Sequence, residues 1–279
     1  MTFKRLLVPV EDHDMMPSVL TAAVLVAERF QAYVEGIALQ SVVPELIVTG
    51  PIGGFPIAPA KRDDPELAAR LRRTFESGMR PHAGASAAAH QGLAWGWHGE
   101  DTVSEGYVAS YARVFDLTIF ARPGGEGAGS QLNALESTLF ESGRPVLVVP
   151  PRAPGGLGEK VLIAWNGSTE TAHAVAFAMP FLTAAREVTV LSVEEGALSG
   201  PSGEQLALHL KAHGIAARLR TVGPERRKTS DAILADAAAI GCDLIIKGAY
   251  TQSRFKQMIF GGPTSHILAA AEVPVLFAH

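Results

Sequence analysis

The chain repeats itself, and no other feature of the sequence limits its fold so much. Lys4 to Asp12 reads KRLLVPVED, and Lys160 to Gly167 reads KVLIAWNG, each a cation followed by an apolar run rich in β-formers. Further on, Asp116-Leu117-Thr118-Ile119-Phe120 matches Asp243-Leu244-Ile245-Ile246-Lys247, and the run from Arg144 to Val149 matches that from Val273 to Ala278. Three strand-like segments recurring in one order mean that a single structural unit occurs twice. Helical periodicity fills the gaps, at Ser18 to Phe30 and Ala172 to Leu182 after the first strand of each copy, and at Pro65 to Met79 and Ser202 to His213 in the middle. Strands that alternate with helices and read as near-continuous Val/Ile/Leu runs belong to parallel βαβ units covered on both faces. The predicted fold class is therefore α/β, with each half a small open parallel sheet.

Between the copies, Pro150-Pro151-Arg152-Ala153-Pro154-Gly155-Gly156 suits neither a strand nor a helix. The expected division is residues 1–151 for the first domain, 152–157 for the linker and 158–279 for the second domain. The first copy carries an extra Pro- and Gly-rich segment at 42–61, which reads either as a lid or as surface decoration. Trp95 and Trp97 alternate with small residues at the period of a strand, which puts both rings on one face for packing, or else for stacking on a ligand.

Composition narrows the function. A chain of 279 residues, 47% hydrophobic and 19% charged, is globular and long enough for two domains. Its net charge of -4 gives no broad positive field of the kind that releases counterions from a phosphate backbone, so nucleic acid is not an expected partner. Acidic residues directly follow the short apolar run at the start, so that run reads as a first strand and not as a secretory segment. No apolar stretch approaches the roughly 20 residues that cross a bilayer. Cys242 is the single cysteine, which excludes an intrachain disulfide and fits a reducing cytoplasm. It reads as a small buried hydrophobe, because no neighbour that would activate its thiol is apparent.

The segment Gly248-Ala249-Tyr250-Thr251-Gln252-Ser253-Arg254-Phe255-Lys256-Gln257-Met258-Ile259-Phe260-Gly261-Gly262-Pro263-Thr264, with the helix and strand after it, resembles the universal stress protein family. The likeness runs over nearly the whole chain as two successive copies. It implies two open parallel five-stranded sheets flanked by helices, Rossmann-like and similar to the adenine nucleotide alpha hydrolases, in tandem. ATP-binding members carry Gly, two residues, Gly, nine residues, then Gly with Ser or Thr. Here Gly248 and Gly261 stand at that spacing, Thr251 replaces the middle glycine and Gly262 replaces the hydroxyl residue. Asn166, at the end of the first strand of the second copy, stands where the family's ATP-binding members place an Asp that contacts the nucleoside. Val193 occupies the position that contacts adenine.

From the resemblance the expected cofactor is ATP or another adenine nucleotide, held by Asn166, Val193, Gly248, Ser253, Arg254, Gly261, Gly262 and Thr264. The physics agrees: ligands of open α/β sheets collect at the carboxyl ends of the strands, and a helix N-terminus after a glycine pair suits a phosphate. Packing of the loop on the sheet explains the same glycines, and solvation explains the same cations. The first copy has Ala121 at the leading glycine and Leu132-Asn133 where Gly-Ser would stand, with Glu126 to repel phosphate, so no ATP is expected there. Glu11 and Asp12, at the place of the family's Asp, read as contacts for another polar ligand or as caps of the next helix.

His209 and His213 lie four apart but lack a zincin glutamate, and no metal motif is present. No general base or carboxylate cluster marks the loop, so weak hydrolysis is the most that is expected of it. The resemblance also implies that the two halves pair about their last strands as a pseudo-dimer within one chain, and it leaves homodimerisation and protein partners open. The expected function is that of a stress-response or signalling protein that answers to a nucleotide. A structural or interaction member of the family that binds none is the alternative.

Overall fold

A computed structural model of the chain describes residues 2–40, 64–82, 93–124, 128–193, 200–223, 228–249 and 263–279. The segment expected at 42–61 lies outside them. The strands are β1 (Arg5–Val10), β2 (Tyr33–Leu39), β3 (Trp95–Val103), β4 (Leu117–Ala121), β5 (Val146–Val149), β6 (Lys160–Trp165), β7 (Glu187–Val193), β8 (Ala217–Val222), β9 (Leu244–Gly248) and β10 (Val275–Ala278). Among the described residues the α-helices are α1 (Met16–Phe30), α2 (Pro65–Met79), α3 (Glu105–Tyr111), α4 (Ala128–Glu141), α5 (Thr169–Ala184), α6 (Gly203–Ala212), α7 (Thr229–Ile240) and α8 (Pro263–Ala270).

The strands form one ten-stranded sheet in the order β3-β2-β1-β4-β5-β10-β9-β6-β7-β8. Each half keeps the same internal order, with its first strand between its second and its fourth. All neighbours pair in parallel except β5 and β10, which meet antiparallel with Leu147 opposite Leu276. The two five-stranded sheets expected from sequence are thus the halves of one continuous sheet, joined through the last strand of each. The antiparallel contact follows from a pseudo-twofold relation, because a strand that pairs with its own symmetry mate must run against it.

Two cores sandwich the sheet. On one face α1, α2, α5 and α6 pack over Val8, Val34, Ile163, Val190 and Ile246; on the other α3, α4, α7 and α8 pack over Leu7, Ile37, Leu162, Ile245 and Phe277. Burial on both faces explains why the central strands read as unbroken apolar runs. β8 is an edge strand, and its residues Arg218, Leu219, Arg220 and Thr221 are exposed. Trp95 and Trp97 do share a face, where both pack against Phe75 of α2.

Contacts across the join are extensive. Phe3 and Phe30 meet Phe181 of the second half with ring centroids 5.1–5.3 Å apart. Arg29 donates to the carbonyls of Gly158 (3.1 Å) and Ala184 (2.6 Å), and Arg122 donates to the carbonyl of Ala271 (2.9 Å). The halves therefore share aromatic contacts and hydrogen bonds across the join, with the rings of Phe140 and His279 also meeting at 4.6 Å. No described helix is long and apolar enough to cross a membrane.

Candidate functional site

In the second half the strand order reverses between β6 and β9. Crossovers leave opposite faces there, the place where open α/β sheets take ligands into a crevice beyond the carboxyl ends of the strands. Asn166 follows β6, Gly248 closes β9, Val193 closes β7, and Thr264 lies in the first turn of α8. Four of the eight residues expected from sequence thus converge on one edge of the sheet. Ser253, Arg254, Gly261 and Gly262 lie outside the described residues.

The end of β6 is built to turn at once into α5. Gly167 takes φ +77°, a left-handed conformation that glycine adopts without strain, and the reversed chain lets Ser168 cap α5 by accepting from the Thr171 amide at 3.1 Å. Asn166 Oδ1 accepts from Thr171 Oγ1 (2.7 Å) and from the Ser168 amide (3.2 Å). A carboxylate would accept the same two bonds, so Asn serves this local role as well as Asp. On the β7 side the wall is Gly200 to Ser202: the Trp165 indole N–H donates to the Pro201 carbonyl at 2.8 Å, and backbone of Gly200 lies against Gly167.

Gly248 meets the first turn of α5. A Cβ there would stand 2.4 Å from the Thr171 nitrogen and 2.6 Å from the Glu170 carbonyl carbon, closer than any side chain tolerates. Close packing of strand on helix thus requires this glycine whatever else it does, and the same packing brings the amino ends of α5 and α8 to one edge. Helix amino ends carry unpaired N–H groups and partial positive charge.

Lys247, which the sequence reading passed over, adds a full charge. It is 8% exposed, and its Nζ donates to the Gly248 carbonyl (2.8 Å) and to Thr264 Oγ1 (3.4 Å). Burial pushes its pKa down from 10.5 to about 8, an effect that Glu170 partly opposes. The available signal was a lone lysine ending an apolar β-run, where the first copy has Phe120.

The corresponding edge of the first half has the opposite character. Glu11 is buried with His13 Nε2 at 3.6 Å, and Asp12 pairs with Arg70 of α2 at 2.8 Å. Glu105, at the start of α3, has its pKa raised by burial and by Glu11. Neither Glu11 nor Asp12 caps α1, contrary to one expectation: its N-cap is Met15, with no side-chain bond, and the His13 ring accepts from the Met15 amide at 3.2 Å. A carboxylate-rich edge repels phosphate, whereas the second half presents a cation and two helix amino ends.

Other candidates settle into packing. Cys242 is buried and its thiol is pushed up to about 12, chiefly by burial, which makes it a poor nucleophile. His209 and His213 are exposed with ring centroids 4.9 Å apart, and no group of three or more potential metal ligands occurs among the described residues. A cavity of about 320 Å³ between Lys160, Glu187, Arg218 and Ile240 opens at the amino ends of the strands, away from the crevice.

Residues 158–279 match the model of the universal stress protein family. The second half belongs to that family. The fold extends the likeness to the whole chain: a universal stress protein from Archaeoglobus fulgidus DSM 4304 superposes with a TM-score of 0.68 at 15% identity, over 99% of this chain and 97% of that one. A functionally unknown protein from Pseudomonas aeruginosa PAO1 gives 0.56 at 14% identity, over 99% and 92%. At such identities the superpositions speak to fold alone. No curated protein matches the chain by sequence. The universal stress protein domain at 158–279 is thus the half in which Lys247 meets the first turn of α8 at the strand ends.

Proposed function

We propose that the chain is a nucleotide-responsive stress or signalling protein whose second half binds an adenine nucleotide in the crevice between β6 and β9, and that occupancy changes the surface offered to protein partners. The observation that carries this reading is the convergence at the topological switch point: Asn166, Gly248 and Thr264 meet there beside the amino ends of α5 and α8 and the ammonium of Lys247. The glycine spacing of 248 and 261 and the family of residues 158–279 support it. Val193, Ser253, Arg254, Gly261 and Gly262 complete the proposed contacts. The first half, with Glu11 and Glu105 at the matching edge, takes no nucleotide and serves as the structural partner through β5 and β10. The division at 152–157 and a cytoplasmic setting belong to the same proposal, and catalysis beyond weak ATP hydrolysis does not.

A specific observation favours a second reading, a structural or interaction member of the family without a nucleotide. Asn166 Oδ1 is already committed to Thr171 and Ser168, and Gly248 is already required by packing on α5. Mass spectrometry of small molecules released from the purified protein, followed by calorimetric titration with ATP, ADP and AMP, separates the two. Retained adenine nucleotide or saturable heat supports the first reading, and neither at millimolar ligand establishes the second.

A further inference from the structure

Among the described residues, Lys247 is a buried cation without a counter-charge. An ammonium has three hydrogens to donate. Two go to neutral oxygens, those of Gly248 and Thr264, and the third has no acceptor among the described residues. Nor does any described carboxylate lie within ion-pair distance of Nζ; the acid that acts on it electrostatically is Glu170, in the first turn of α5. Buried charges in proteins are paired or hold a ligand, because an isolated one is strongly disfavoured against water.

The surroundings worsen the imbalance. Thr264, which accepts from Lys247, lies in the first turn of α8, whose amino end carries partial positive charge of its own. Pro263 at the start of that helix supplies no N–H, which leaves the amides after it and the Thr264 hydroxyl as its donors. An ammonium, a helix amino end and a hydroxyl thus meet at one point, with no carboxylate of the described residues bonded to them. An oxyanion answers all three, and charge-assisted bonds of this kind are the strong ones.

We propose that Lys247 is the buried counter-charge for a phosphate group, so that the crevice selects phosphorylated nucleotides over the nucleoside, with the phosphate bound by the Lys247 ammonium, the Thr264 hydroxyl and the amino end of α8. This rests on the nucleotide reading above and assigns its charge selectivity to a residue outside the glycine pattern. A purely structural Lys247 would only tie the Gly248 carbonyl to α8, and would leave ligand preference untouched.

The test titrates the full chain and its Lys247→Met variant, with folding checked by circular dichroism, against ATP and against adenosine, and follows Tm with millimolar inorganic pyrophosphate. The expected result is a loss of ATP affinity of about a hundredfold in the variant, as for truncation of one partner of a buried charge pair, with adenosine binding unchanged. Pyrophosphate raises Tm of the parent protein and not that of the variant. ATP bound by both proteins with equal affinity, or adenosine bound by the parent as tightly as ATP, overturns the assignment and leaves the nucleotide reading standing. A pyrophosphate shift without any binding of ATP or adenosine upholds the anion site and removes the nucleotide. If the variant does not fold, the parent decides: a Tm that pyrophosphate does not move overturns the proposal.

Discussion

Replacing Lys247 by Met should remove a gain in stability that the parent protein draws from this residue as pH rises from 8 to 10.5. The folded-state pKa of Lys247 is about 8 against 10.5 for a free lysine, because burial disfavours the charged form. At about 1.4 kcal/mol per pH unit, that gap corresponds to about 3 kcal/mol. The sign follows from proton counting. Below pH 8 both folded and unfolded chains hold the proton and the penalty is present in full. Between pH 8 and 10.5 the folded protein has released its proton while the unfolded chain keeps it, so stability rises with pH. Above 10.5 both are neutral and the penalty is gone. Met removes the term but also forfeits the bonds to Gly248 and Thr264, at about 1 kcal/mol each. The variant should thus be more stable than its parent by about 1 kcal/mol at pH 7 and less stable by about 2 kcal/mol at pH 11. Urea unfolding of both proteins at half-unit steps of pH measures this, and the difference between them cancels titrations common to both, such as those of Tyr33 and Tyr111. Parallel stability curves from pH 7 to 11 would refute the reasoning, since they would mean that the Lys247 ammonium is not desolvated.

Gly248→Ala places a methyl 2.4 Å from the Thr171 nitrogen, against backbone that cannot rotate away, and should cost about 1–3 kcal/mol as overpacking; thermal unfolding reads it, and a loss under about 0.5 kcal/mol would mean that α5 shifts freely. Asn166→Asp keeps both accepted bonds and adds a negative charge beside the amino end of α5, so stability at pH 7 should hold or rise by up to about 1 kcal/mol, while Asn166→Ala loses both bonds and falls by about 1–2 kcal/mol by the same assay. Phe181→Ala empties a fully buried site between the halves and should cost about 3–5 kcal/mol, with fluorescence and circular dichroism still reporting one shared transition; separate transitions would show that the halves unfold independently.

Most of the fold was legible because burial on both faces of a parallel sheet leaves a simple trace. β1, β4, β5, β6, β9 and β10 stand out as short Val/Ile/Leu runs in repeated order, and α2 falls on its expected residues, Pro65 to Met79. β8 left no such trace: an edge strand exposed on Arg218, Leu219, Arg220 and Thr221 carries no apolar run to find. The join of the halves into one sheet followed from resemblance, and its register rests on the antiparallel pairing of β5 with β10, Leu147 opposite Leu276, that no local pattern encodes.

The site was legible by spacing and opaque in its electrostatics. Gly248 and Asn166 were found from their positions in a motif, but the motif does not say that Gly248 is fixed by Thr171, because that contact joins β9 and α5 only in space. Lys247 was missed for a related reason. A cation at the end of a strand usually reaches solvent, and only packing beneath α8 makes this one a buried charge.

Amide hydrogen exchange of the full chain, with and without saturating ATP, bears most directly on the asymmetry between the halves. Protection is expected to rise at 166–171, 247–249 and 264–267, around the crevice of the second half, and to stay unchanged at 11–16 and 121–124, its counterparts in the first. Protection appearing at the first half's strand ends, or at neither half, would contradict the account.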